Sequence, residues 1–252
     1  LFIQQKKRGM SNEKKKDFYM KAFVLAGGIG SRLEKSGITA KVPKPLLEIG
    51  GKTVLDWNIE NLKNHGVKTI VLGLGHRYKE VEDYFKNRDL GVELILSFEE
   101  QRMGTAGALK LAEKYFSNCE NFFMCNGDEV KNVDYSALLE MHEKNDAIAS
   151  IALYAIDEVS HYGVVKLEGE KIIEFVEKPS KENAPSNLIS SGAFVLSNKI
   201  FEYIHAGKEV SIEKEVFPKI VEERKLFGKE TVSSFLTIDT PERYHKTVKE
   251  FK

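Results

Sequence analysis

Several glycines, one arginine and a proline-flanked lysine near the start of the chain are residues that could hold phosphate. Leu25-Ala-Gly-Gly-Ile-Gly-Ser-Arg-Leu33 follows a short apolar run, Met20 to Leu25, and Lys41-Val-Pro-Lys-Pro-Leu46 lies a little downstream. Glycines let a backbone approach an anion and aim N–H groups at it, while Arg32 and Lys44 bring positive charge. Pro43 and Pro45 restrict the backbone around Lys44 and aim its side chain in one direction. An ordinary strand-to-loop turn and a surface lysine would use the same residues. The dinucleotide fingerprint needs a glycine at Leu33, and no Walker-type GK[ST] is present, so those two phosphate motifs are weak readings.

Later features could complete such a site. Gly104-Thr-Ala-Gly-Ala-Leu109 opens a helix with small residues, suited either to close helix packing or to a backbone lying against a flat base. Asp128 follows an apolar strand and a glycine, a position that suits a metal, a substrate or a plain turn. Glu177-Lys178-Pro179 is a charged pair after a strand, and Asp239 follows a late strand where it could also start the last helix. Two carboxylates at strand ends could converge on Mg²⁺.

The elements that must position these residues alternate. Thr69 to Leu74, Val92 to Leu96 and Asn121 to Asn126 are apolar runs fit for central strands. Between them, Val54 to His65, Tyr78 to Asn87, Thr105 to Phe116 and Asp134 to Lys144 repeat apolar residues at helical spacing. This predicts a Rossmann-like α/β fold: a mostly parallel, mixed sheet flanked by helices in three α/β/α layers. Ligands in such sheets sit beyond the carboxyl ends of the strands, where the glycine loop and Asp128 both fall. From Ile148 the chain is richer in strands: Ile148 to Tyr154, Gly163 to Leu167, Lys171 to Val176 and Gly192 to Leu196. Helices are expected at Asn198 to His205 and at Ile212 to Glu223, the latter interrupted by Pro218. A strand from Val232 to Ile238 precedes a helix with Thr240 as N-cap and Pro241 in its first turn.

The chain has 252 residues, with 38 basic and 38 acidic side chains. That balance gives no overall field for nucleic acid or an anionic membrane. Cys119 and Cys125 are the only cysteines and fit no zinc spacing, and no apolar run is long enough to span a bilayer. A soluble, cytoplasmic protein is expected. Residues 1–19 are basic, with Lys6, Lys7, Arg8, Lys14, Lys15 and Lys16, and read as a disordered extension. One domain is expected over residues 20–252.

Taken together, the motifs resemble the sugar nucleotidylyltransferases. LAGGIGSRL is similar to the family's LAGGxGxRL, KVPKPLLEIGGKTVLDW to PKPLLPVxGKPxL, MGTAGAL to PLGTAGAL, and CNGDEV to its NGD strand end. YGVVKLEGEKIIEFVEKP, SSGAFVLS, SIEKEVFP and LTIDTPERY resemble later family motifs in order, so the likeness runs through nearly all of the chain from Met20 to Phe251.

The resemblance implies transfer of a nucleoside monophosphate from a triphosphate to a hexose 1-phosphate, with release of pyrophosphate. By motif match, Leu25, Ala26, Gly27, Gly28, Gly30, Glu99, Gly104 and Thr105 would hold the nucleotide. Arg32 and Lys44 would neutralise the triphosphate, and Asp128 and Asp239 would hold Mg²⁺. Gly163, Glu177, Ser191 and Gly192 would touch the sugar, and Lys178 its 1-phosphate; Arg32, Lys44, Asp128 and Lys178 are the catalytic set. The chain departs from the family pattern in a lengthened Glu34 to Lys41 segment, in Arg102-Met103 before Gly104, in Ser191 for Asn and in Thr237 for an aromatic.

Glu99 can only accept hydrogen bonds when ionised, and guanine offers two adjacent donors where uracil and thymine offer one. GTP with mannose 1-phosphate is therefore the first expectation. Thymidylyl, uridylyl or cytidylyl transfer to glucose 1-phosphate stays open, as does a non-catalytic sugar-nucleotide-binding subunit, although that subunit would be expected to have lost one of the charged residues. The expected partners are small-molecule substrates, with no nucleic acid or membrane, and homo-oligomerisation is left open. The chain closes soon after its last helix, which implies a transferase without the left-handed β-helix of longer relatives.

Overall fold

A computed structural model describes residues 20–251; the basic stretch 1–19 lies outside the described residues. In chain order the elements are β1 (Met20–Leu25), α1 (Ser31–Lys35), β2 (Glu48–Ile49), β3 (Lys52–Thr53), α2 (Val54–Asn64), β4 (Val67–Leu74), α3 (Tyr78–Phe85) and β5 (Glu93–Phe98). Next come α4 (Gly104–Leu111), β6 (Asn121–Asn126), β7 (Glu129–Val133), α5 (Tyr135–Lys144), β8 (Ala149–Ala155), β9 (Gly163–Glu168) and β10 (Lys171–Glu177). The remainder is β11 (Leu188–Ser197), α6 (Phe217–Glu222), β12 (Leu226–Glu230), β13 (Val232–Thr237) and α7 (Pro241–Glu250).

Nine strands form the main sheet in the order β5-β4-β1-β6-β11-β8-β12-β10-β9. The β5-β4-β1-β6 half is parallel; β11 runs antiparallel to both β6 and β8, and β8 pairs in parallel with β12. Helices cover both faces because strand side chains alternate. In β1, Phe23 packs with α4 and α6, while Ala22 and Val24 pack with α2, α3 and α5. β6 divides the same way, Phe122 and Met124 to one face and Phe123 and Cys125 to the other.

Four strands, the short β2 and β3 together with β7 and β12, are not indicated by the apolar pattern. β12 reads Leu-Phe-Gly-Lys-Glu, too short and charged to stand out, yet it fills the sheet between β8 and β10. β7 leaves the main sheet and pairs antiparallel with β13 as a separate ribbon. That ribbon carries Glu129 and Thr237 opposite one another, so Asp128 and Asp239 flank its two strands at the same end.

Several helix boundaries differ from the expected ones. The segment expected as helix over Asn198 to His205 is a 3-10 helix, Asn198–Tyr203, and the helix after Gly104 stops at Leu111 before a 3-10 turn. The break expected at Pro218 falls earlier: a π-helical turn, Ile212–Val216, hands over to α6 at Phe217. Proline has no amide hydrogen, so it fits the first turn of α6, where that donor has no intrahelical partner. α7 starts as expected, with the Thr240 side chain accepting from Arg243 N.

Candidate active site

The segments after β1 and β6, the β7–β13 ribbon, the turn after β10, the first residues of β9 and β11 and the 209–215 segment surround a cavity of ≈ 740 Å³. Arg32, Lys44, Gly104, Thr105, Asp128, Gly163, Glu177, Lys178, Gly192 and Asp239 all line it. Leu25, Ala26 and Gly28 line a smaller adjoining pocket that shares Lys44, Thr105 and Asp128.

The glycine loop is shaped by close approach. A Cβ on Gly27 would lie 2.7 Å from Glu99 Oε1 and 3.0 Å from Gly75 N, so the backbone there has no room for a side chain. Gly30 sits at φ 64 as the N-cap of α1, with Lys44 Cβ 3.3 Å from where its own Cβ would be. Leu33, which occupies the place of a third fingerprint glycine, is fully buried among Leu47, Ile49, Val54, Val130 and Ile238. Its role is to seat α1, which makes the departure from the dinucleotide motif a packing necessity. The lengthened 34–41 segment is tied to the turn after β4: Arg77 donates to the Thr39 carbonyl, and His76 Nε2 lies 3.8 Å from Glu34 Oε1.

Two ion pairs form the charged centre. Lys44 is buried, held by the extended Pro43 and by Pro45 in a 3-10 turn, and donates to Asp128 Oδ2 at 2.7 Å. Burial alone would lower the Lys44 pKa, but Asp128, with help from Glu129 and Asp239, holds it above the usual lysine value. Burial would likewise raise the Asp128 carboxyl; Lys44 and then Lys131 outweigh it and keep Asp128 below the usual range. Arg32 donates to Asp239 Oδ2 at 3.0 Å, and Arg243 donates to Asp239 Oδ1 at 2.9 Å.

Asp128 and Asp239 present hard oxygen donors to one cavity, a donor set that fits Mg²⁺. Among the described residues no group of three or more His, Cys, Asp or Glu gathers as a metal site. A cation held here would complete its shell with water and phosphate oxygens, the ordinary habit of Mg²⁺.

The side of the cavity expected to face a sugar is built on strained and close-packed backbone. Lys178 is left-handed at φ 52, its N–H bonded to the Tyr162 carbonyl at 3.0 Å, and its Nζ lies 3.2 Å from Glu177 Oε1. A non-glycine residue held there is strained and needs its surroundings to fix it. Burial pushes the Glu177 carboxyl up, Lys178 opposing and Glu213 reinforcing the rise. Gly192, at φ 66, leaves room for the Asn126 amide, which a Cβ would meet at 2.4 Å.

One expected contact is corrected. Ser191 does not face the cavity: it is fully buried and donates to the Ala152 carbonyl at 2.8 Å. The β11–β8 register is irregular between Ser190 and Phe194, where Ser191 turns to the β8 backbone and Ser190 lines the cavity instead. Gly104 lines the cavity with backbone alone, because a Cβ there would lie 2.5 Å from Val210 O. Thr105 lines the cavity, but its hydroxyl already bonds Glu213 and Ile212 N.

Sequence reasoning missed Asn126, Tyr162, Arg243 and the 209–215 segment. Asn126 follows the strand motif directly, and its buried Oδ1 has no hydrogen-bond partner among the described residues. Lys131 is a buried lysine that donates to the Asn126 carbonyl and to Glu129, both at 3.2 Å, beneath the Asp128 turn. The basic residue in an otherwise strand-like Glu-Val-Lys-Asn-Val was the one available signal.

The chain also resembles known proteins in sequence and fold. The chain is 34% identical over 230 residues to the mannose-1-phosphate guanylyltransferase catalytic subunit beta of Danio rerio, covering 89% of this chain and 62% of that one. A mannose-1-phosphate guanyltransferase of Yarrowia lipolytica matches at the same identity and coverage. The chain thus spans about three fifths of the length of these relatives. Among solved structures, HddC from Yersinia pseudotuberculosis superposes with a TM-score of 0.78 at 29% identity, covering 92% of this chain and all of that one. HddC has also been solved with GMP-PN, and in that form it superposes with a TM-score of 0.74 at 30% identity. A UDP-glucose pyrophosphorylase shares the fold, with a TM-score of 0.78 at 22% identity. The nucleotidyl transferase family model matches residues 21–234. With that match spanning the glycine loop, both ion pairs' lysine and arginine, and the sugar-side strands, the chain belongs to the nucleotidyl transferase family.

Proposed function

We propose that this protein transfers a nucleoside monophosphate from a nucleoside triphosphate to a sugar 1-phosphate and releases pyrophosphate, with GTP and mannose 1-phosphate as the first pair. The observation that carries this reading is the convergence of Lys44–Asp128, Arg32–Asp239 and Lys178–Glu177 on one cavity. A sugar-phosphate oxygen attacks the α-phosphorus; the bond from that phosphorus to the bridging oxygen breaks, and pyrophosphate leaves with the electron pair. No proton need be removed from an ionised phosphate, so the protein's task is to position two anions and offset their charge.

Lys44 and Arg32 meet the triphosphate and Lys178 the sugar phosphate, which brings like-charged groups together at low cost. The glycine loop gives the nucleotide a backbone to lie on. Asp128 and Asp239 would hold Mg²⁺, which would supply further charge neutralisation. Glu99 favours guanine: one oxygen, Oε2, accepts from Met103 N at 3.2 Å, while Oε1 faces the Gly27 and Gly75 backbones. Neighbours named as mannose-1-phosphate guanylyltransferases, and one solved with GMP-PN, support the same choice.

The test is pyrophosphate release by the purified protein with Mg²⁺, using several nucleoside triphosphates against several sugar 1-phosphates. Release is expected to be fastest with GTP and mannose 1-phosphate. No release with any pair removes the reading.

A further inference from the structure

The segment from Val210 to Glu215 connects the nucleotide helix to the sugar pocket. Val210 O accepts from Ala106 N at 2.9 Å and from Gly107 N at 3.3 Å, and Val210 N donates to Met103 O at 2.8 Å. The first turn of α4 is therefore closed by this strap, and Gly104 at φ 71 is what lets the strap approach. Thr105 Oγ1 then accepts from Ile212 N and donates to Glu213 Oε2, both at 2.8 Å. Ser211 Oγ donates to the same Oε2 at 2.9 Å while accepting from Lys214 N at 3.2 Å.

Glu213 is thus a half-buried carboxylate with one oxygen doubly held. Its Oε1 has no hydrogen-bond partner among the described residues, and the side chain lines the cavity with Gly163, Glu177, Lys178 and Gly192. It is close enough to Glu177 for the two charges to repel. Two carboxylates facing one space are unfavourable unless donors enter between them, and sugar hydroxyls are such donors. We propose that Glu213 is a specificity-determining residue of the sugar half-site, accepting a hydrogen bond from a ring hydroxyl through Oε1. Thr105 is its positioning residue. The inference rests on the proposed reaction and deepens it: the substrate is a hydroxyl-rich sugar recognised at a position fixed from the nucleotide helix.

The experiment compares wild type and Glu213→Gln on the sugar 1-phosphate that turns over fastest and on its monodeoxy forms, reading kcat/KM from pyrophosphate release. Glutamine keeps an oxygen for Thr105 and Ser211 but offers the hydroxyl an amide instead of a charge. For the wild type, one deoxy position should cost roughly ten- to a hundred-fold, the scale of a hydrogen bond to a charged acceptor. Glu213→Gln should lower the parent sugar by a similar factor and leave that one deoxy sugar nearly unchanged. Thr105→Val should raise KM for the sugar phosphate, and Thr105→Ser should restore it. Equal losses on every sugar, or no loss, overturn the role of Glu213. An unchanged sugar-phosphate KM in Thr105→Val overturns the role of Thr105. Absence of turnover by the wild type with every pair is a different result, which removes the proposed reaction and this inference with it.

Discussion

Arg32 and Asp239 are paired at 3.0 Å across almost the whole chain, the guanidinium donating to the carboxylate at the far end of the β7–β13 ribbon. The residue proposed to meet the triphosphate therefore holds the residue proposed to meet the metal. Arg32 is 63% exposed, so the pair contributes little to stability, on the order of 0–1 kcal/mol. If Arg32 takes the proposed role and moves to phosphate when substrate arrives, an Asp239 oxygen is released.

This exchange predicts ordered binding. Initial-rate patterns with varied triphosphate and sugar phosphate should place the triphosphate first. Arg32→Gln should raise the triphosphate KM by roughly ten-fold, the scale of a lost charge-assisted contact, while thermal stability stays within about 1 kcal/mol of wild type. Random-order kinetics in the wild type would dissociate the Arg32–Asp239 pair from substrate binding.

Asp128→Asn keeps the shape of the Lys44 partner and removes its charge. Turnover should fall by about 10²–10³-fold, as for loss of one electrostatic group acting on the transition state, with the folded protein retained by circular dichroism. Wild-type-like turnover would take Asp128 out of the metal and phosphate machinery.

Glu99→Gln tests base reading. Glutamine offers one donor and one acceptor where the carboxylate offers only acceptors, so the preference for GTP over UTP, as a ratio of kcat/KM, should fall by roughly ten-fold. An unchanged ratio would assign Glu99 only to closing the turn against Gly27 and Gly75.

His142 gives a stability prediction independent of activity. It is buried in α5, with Nδ1 2.9 Å from Ser150 Oγ and Nε2 3.2 Å from Asn121 Oδ1, and burial, opposed by Asp146, lowers its pKa to about 4. The unfolded chain binds a proton near pH 6.5, while the folded one stays neutral down to about 4. Stability should therefore fall as the pH drops from 6.5 to 4, by up to about 3 kcal/mol from this residue. His142→Gln should flatten that part of the melting-temperature profile between pH 4 and 7; an identical slope in both proteins would exclude His142 as its source.

The amino-acid sequence alone determined the local elements and the identity of the charged residues. β1 and β6 span the residues that their apolar runs indicate, because four or more consecutive apolar side chains can be buried only on both faces of a central strand. Thr240 and Pro241 marked the start of α7 for an equally local reason, the unpaired amides of a first helical turn. Tertiary structure decided what no local pattern carries. Pairing of β7 with β13 brings Asp128 and Asp239 to one end of a ribbon, although their strands lie about a hundred residues apart in the chain. The pairing of β11 with β8 buries Ser191 on the Ala152 carbonyl and leaves Ser190 at the cavity, and the strap at Val210 gives Thr105 to Glu213. These outcomes depend on register and on contacts between distant segments, whose energies the one-dimensional pattern does not contain.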